Sequence, residues 1–180
     1  GPFGIAGFVS TNEIQLKPLI YGGTGIESAN PYMPDKIPIK YEAGSQNIMA
    51  IAGLNASLKW ILKNGINNLF IQEQKNKETL TKVLKEFDYI RIIEPKTQAI
   101  GVISTTIDGY SSDSLGSVFF EHGIAVRTGL QCAPNAHKFL NTFPEGTIRF
   151  SVGSLSIEKF ILQYMRIMQK KYNLSLHSRL

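Results

Sequence analysis

The chain has 180 residues and a mass of 20.0 kDa, room for about one domain with a piece of another. With 43% hydrophobic and 18% charged residues it falls outside the disordered and low-complexity classes. No apolar run reaches the roughly 18 residues that a membrane helix needs. The formal net charge is +5, and the whole excess comes from Lys159, Arg166, Lys170, Lys171 and Arg179. Their spacing between apolar residues reads as the solvated face of a terminal amphipathic helix rather than a nucleic-acid docking surface. The single cysteine excludes an internal disulfide and a zinc site built on several cysteines, and it suits a reducing cytoplasm. The opening Gly1-Pro2-Phe3-Gly4 shows no secretory signal pattern.

In chain order, Gly4–Ser10 reads as a short glycine-punctured strand. Residues 11–40 hold Pro18, Pro31, Pro34, Pro38 and the run Tyr21-Gly22-Gly23-Thr24-Gly25, a long irregular connection of the kind that often covers a site. From Ile48 to Leu62 apolar residues occupy nearly every face, which predicts a deeply buried helix that stops at Asn64-Gly65. A second helix carries Ile66, Leu69, Phe70, Leu80, Val83, Leu84 and Phe87 on one stripe. The domain boundary falls between these two helices, giving 1–64 and 65–180.

Beyond it, strands are expected at Tyr89–Ile93, Ala99–Thr106, Ile124–Arg127 and Thr147–Val152. Helices are expected at Ser112–Phe120, with Gly123 closing it, at Asn135–Leu140, and from Ser156 through Ile157, Phe160, Ile161, Tyr164 and Met168. A small sheet covered by helices, an α/β arrangement, is the simplest way to bury these faces.

Three segments could carry chemistry. Gly44-Ser45 opens the first helix, where a hydroxyl beside unpaired N–H groups can hold a phosphate or simply cap the helix. Arg127-Thr128-Gly129-Leu130-Gln131-Cys132 sets an arginine at a strand end and a cysteine five residues later in a turn before Pro134. A nearby arginine and helix start favour the thiolate, although many lone cysteines are inert core residues. In Gly146-Thr147-Ile148-Arg149-Phe150-Ser151 an arginine alternates with apolar residues. Arg127 and Arg149 would make a fork for a carboxylate, or form ordinary salt bridges with protein acids. His122, His137 and His177 have no metal-ligand spacing with one another or with Cys132, so no metal is expected.

The stretches GPFGIAGFVS, YEAGSQN, GIAVRTGLQCAP and GTIRFSVG together resemble the C-terminal part of the class V aminotransferase-like enzymes that use pyridoxal 5'-phosphate. The resemblance is closest to the cysteine desulfurases, particularly the Suf-type group and its selenocysteine lyase relatives. It implies a fold type I homodimer, with 1–64 the tail of the large cofactor-binding domain and 65–180 the small C-terminal domain. It also implies that Cys132 accepts sulfur from L-cysteine as a persulfide, leaving L-alanine. Arg149 matches the arginine that binds the substrate carboxylate, and Arg127 the supporting arginine of the cysteine loop. Ser45, with Gly44, falls where the family commonly has a threonine that contacts the cofactor phosphate across the dimer interface. The family's Schiff-base lysine lies just upstream of the Gly-Pro-x-Gly stretch. The resemblance therefore implies the C-terminal portion of a longer enzyme, itself inactive, with an iron–sulfur scaffold or sulfur carrier as acceptor. Two rival readings stand beside this one. The first is another class V aminotransferase or selenocysteine lyase in which Cys132 is dispensable, and the second is a non-catalytic dimerisation or interaction domain.

Overall fold

The computed structural model describes residues 2–11, 16–95, 97, 99–155, 157, 160, 161 and 164. The chain divides at Asn64/Gly65 into two compact units.

In the first unit, residues 2–11 and 16–47 are irregular apart from one 3-10 turn, Ile39–Tyr41, so the strand expected at Gly4–Ser10 does not form. Gly4 sits at φ +75°, and among the described residues of this unit there is no partner strand to supply ladder bonds. Helix α1 runs from Ile48 to Asn64. Pro2 packs against it at Gly53, where an added side chain would meet the proline ring at 2.9 Å. The deep burial expected for α1 is not found. Only Ala50 is buried, while Ile48 (74%), Met49 (84%) and Leu62 (81%) stand exposed. A helix apolar on every face needs cover on every side, and the irregular chain of its own unit reaches only one of them.

In the second unit, helix α2 (Ile66–Leu84) buries its C-terminal half through Leu80 and Leu84, whereas Ile66, Phe70 and Ile71 in its first half are exposed. Asn76, buried on the same helix, donates its amide to the carbonyls of Gly153 (2.8 Å) and Leu155 (2.6 Å). Strands β1 (Ile90–Ile93), β2 (Val102–Ile107) and β3 (Ile148–Ser151) form an antiparallel sheet in that order. Helix α3 (Ser112–Glu121) follows β2. Ser111 caps it by accepting the Ser114 N–H, and Gly123 ends it at φ +71°. A short helix α4 spans Pro134–Phe139.

The register sorts the sheet residues onto two faces. Ile90, Ile103, Thr105, Ile107, Ile148 and Phe150 are buried against Leu80, Leu84, Leu115, Phe119 and Tyr164. Arg91, Ser104, Thr106 and Arg149 alternate with them and point the other way. The small sheet is therefore covered by helices, as expected, in a mixed α/β fold whose strands are antiparallel. The strand expected at Ile124–Arg127 reduces to a single bridge, Arg127 with Arg149, on the free edge of β3. Ser156 and Met168 of the last expected helix lie outside the described residues, as do Lys159, Arg166, Lys170, Lys171 and Arg179.

Phe119, fully buried, stacks on Tyr164 at 5.7 Å and meets Phe150 edge-on at 5.8 Å. Phe119→Ala should destabilise the fold by about 3–5 kcal/mol in urea denaturation. Its neighbour Phe120, 82% exposed, should change stability by no more than about 0.5 kcal/mol when replaced by Ala. Equal losses from the two would contradict this packing.

Candidate active site

The site begins with a backbone pairing. Arg127 donates its N–H to the Arg149 carbonyl at 3.1 Å, and Arg149 returns one to Arg127 at 2.7 Å. Residues that exchange both bonds across an antiparallel pair lie directly opposite, about 5.5 Å apart, with side chains on the same face. Because Ile148 and Phe150 are claimed by the core, that face is the one turned away from it. Arg127 is exposed and Arg149 half-buried. The Arg149 Nε is buried with no hydrogen-bond partner, and neither arginine forms an ion pair with a protein acid among the described residues. The salt-bridge alternative therefore has no support there.

Cys132 is exposed, and its Sγ lies 3.9 Å from Arg127 Nη2. Both Cys132 (φ +61°) and Gln131 (φ +47°) occupy left-handed backbone, a conformation that costs residues with a Cβ on the order of 1–3 kcal/mol each. The loop is pinned at both ends. On one side, Ser112 Oγ accepts the Gly129 N–H at 3.1 Å and donates to the Glu145 carbonyl. Thr147 N–H reaches the Gly129 carbonyl at 3.2 Å. Gly146, at φ +72°, rests on the Gly129 backbone so closely that any Cβ there would overlap it. On the other side, Ala133 donates to the Leu130 carbonyl at 2.9 Å, and Pro134 opens α4 at its first turn. Buried His137 of α4 contacts Thr142 Oγ1 through Nδ1 at 2.8 Å. Thr142 in turn accepts the Gly146 N–H, closing the frame.

Gly44 and Ser45 belong to the first unit. Gly44 has φ +83° with open space around it, and its N–H binds the Gly23 carbonyl at 2.8 Å. Ser45 is exposed, and its hydroxyl makes no hydrogen bond among the described residues. The capping role belongs to Asn47 instead, whose Oδ1 accepts the Ala50 N–H at 3.1 Å while its Nδ2 donates to the Gly4 carbonyl at 3.4 Å. The structure thus brings Arg127, Cys132 and Arg149 together in the second unit and leaves the Ser45 hydroxyl available in the first.

Sequence reasoning passed over Asn47, Ser112, Gly146 and the side chain of Gln131. Asn47 was legible in principle, because asparagine directly before an apolar run is a capping signal. Ser112, Gly146 and Gln131 act through contacts between segments distant in the chain, and no local pattern marks them.

The aminotransferase class-V family matches residues 1–159. A probable cysteine desulfurase of Methanothermobacter thermautotrophicus is 30% identical over 158 residues, covering 84% of this chain and 40% of that protein. Among solved structures, the apo cysteine desulfurase of Thermococcus onnurineus superposes with a TM-score of 0.75 at 26% identity, covering 87% of this chain and 40% of the other. The Escherichia coli cysteine desulfurase CsdA has a TM-score of 0.74 at 20% identity, covering 89% and 40%, which speaks for the fold alone. The chain spans about 40% of the length of these relatives. The fold is that of fold type I pyridoxal-phosphate enzymes, and the chain belongs to the aminotransferase class-V family.

Proposed function

We propose that this chain supplies the carboxylate-binding and persulfide-forming part of a pyridoxal-phosphate-dependent cysteine desulfurase, converting L-cysteine to L-alanine. The observation that carries this reading is the Arg127–Arg149 pair with the Cys132 thiol 3.9 Å from Arg127 Nη2. Two guanidinium groups on one face, without an acid partner among the described residues, suit a substrate carboxylate. The buried Nε of Arg149 is a donor that such a ligand can use.

The available residues also fit the cofactor. Ser45, exposed after the open, positive-φ turn at Gly44, would hold the phosphate of pyridoxal phosphate through its hydroxyl. When bound, pyridoxal phosphate supplies the electron sink that labilises the substrate's Cβ–S bond. Arg149, with Arg127 beside it, fixes the carboxylate and so orients the substrate sulfur toward the loop. The Cys132 thiolate attacks that sulfur; an S–S bond forms as the Cβ–S bond breaks. The enzyme thiol gains one sulfur atom as a persulfide, and L-cysteine less that atom is L-alanine, so the reaction needs no external oxidant or reductant.

In this reading residues 1–64 continue the large cofactor domain and 65–180 form the small domain. The enzyme is a cytoplasmic homodimer, with the exposed apolar residues of α1 available for cover by further protein. The persulfide passes to a sulfur carrier or an iron–sulfur scaffold.

In the full-length polypeptide, Cys132→Ala should keep the cofactor's absorbance and lose cysteine-derived sulfide production; undiminished sulfide release would refute the nucleophile. Arg149→Ala should raise the KM for L-cysteine on the order of 10- to 100-fold, the scale of a lost charge-assisted hydrogen-bond pair. An unchanged KM would remove the carboxylate assignment.

A further inference from the structure

Gln131 and Cys132 are consecutive left-handed residues, at φ +47° and +61°, and neither is glycine. Such a turn persists only where surrounding contacts impose it. The bonds that pin this loop attach at Gly129, Leu130 and Ala133, on either side of the strained pair. Among the described residues, residues 131 and 132 themselves are held by two contacts. One is the Arg127–Cys132 approach, and the other is the Gln131 side-chain amide. The Gln131 Nε2 donates to the Thr147 carbonyl at 2.9 Å and to Thr147 Oγ1 at 3.3 Å, and it lies 3.4 Å from the Arg127 carbonyl. These acceptors are the backbone of one arginine and the residue two positions before the other.

We infer that Gln131 is the positioning residue for Cys132: its amide clamps the left-handed turn onto the Arg127 backbone and onto Thr147, the residue directly before β3, fixing the thiol relative to the substrate carboxylate. The inference rests on the desulfurase reading above and adds to it a residue that touches neither substrate nor cofactor. The chemistry of the clamp is specific. The Thr147 carbonyl can only accept, so it needs an N–H or O–H aimed at it. A glutamate at 131 would match glutamine in length and shape but offer no donor at neutral pH. Its charge would also face two carbonyl oxygens.

The test follows the rate at which Cys132 gains one sulfur atom from L-cysteine in the full-length polypeptide, by mass spectrometry of the peptide containing Cys132. It compares wild type with Gln131→Glu and Gln131→Ala. Both variants should form the persulfide on the order of 10- to 100-fold more slowly, the effect of displacing a reacting group by about 1 Å. Their KM for L-cysteine should stay within about two-fold of wild type, because the carboxylate site is left intact. Amide hydrogen exchange should accelerate over residues 127–135 and not over 102–107, showing that the loop is released while the sheet stays folded. A wild type that forms no persulfide on Cys132 would overturn the desulfurase reading and this inference with it. A wild type that forms it, with both variants equally fast or with KM raised in step with the lost rate, would overturn the positioning role alone.

Discussion

The reciprocal backbone bonds between Arg127 and Arg149 are the constraint on which the rest of the site depends. They bring a residue from the end of an irregular stretch onto the free edge of a three-stranded sheet, and they do so opposite a residue of like charge. Two cations directly across a strand pair repel each other, and no protein carboxylate compensates them among the described residues. In the proposed site, the substrate carboxylate offsets that repulsion. The same pairing sets the origin of the short loop to Cys132, so the proposed carboxylate site and nucleophile share one frame.

That frame is dictated from the other side of the sheet. Strand side chains alternate, so the outward direction of Arg149 follows from the burial of Ile148 and Phe150. A slip of one residue in the β2–β3 register would exchange the two faces, placing Arg149 in the core beside Phe119 and Tyr164. The aromatic cluster is thus what aims the arginine. The left-handed turn at Gln131–Cys132 is stabilised by contacts reaching across to the entrance of β3. Core packing, strand register and loop strain act in sequence to place one exposed sulfur.

Much of this order was legible in the sequence wherever local periodicity coincides with burial. Both long helices, the first two sheet strands, the Ser111–Glu121 capped helix and β3 stand within a few residues of where their patterns place them. The failures share a cause. Gly4–Ser10 has strand-like composition but no strand to pair with among the described residues, and pairing is not encoded locally. The apolar faces of α1 signal burial correctly as chemistry, yet the covering surface is not supplied by the irregular chain around it. Arg127, Cys132 and Arg149 were visible through motif and residue type. The devices that hold them were not, because Ser112, Gly146 and Gln131 work between segments 16 or more residues apart. Ser45 was visible as a hydroxyl beside a helix start, but the side chain that caps this helix is Asn47.

In the proposed desulfurase, sulfur leaving L-cysteine passes through Cys132. The most direct measurement incubates the full-length protein, isolated from its source, with L-cysteine carrying a heavy sulfur isotope, and then locates the label by mass spectrometry under non-reducing conditions. One labelled sulfur is expected on the peptide containing Cys132, formed together with L-alanine in equal amount. L-Alanine released with no label on Cys132, or an unlabelled protein that releases none, would contradict it.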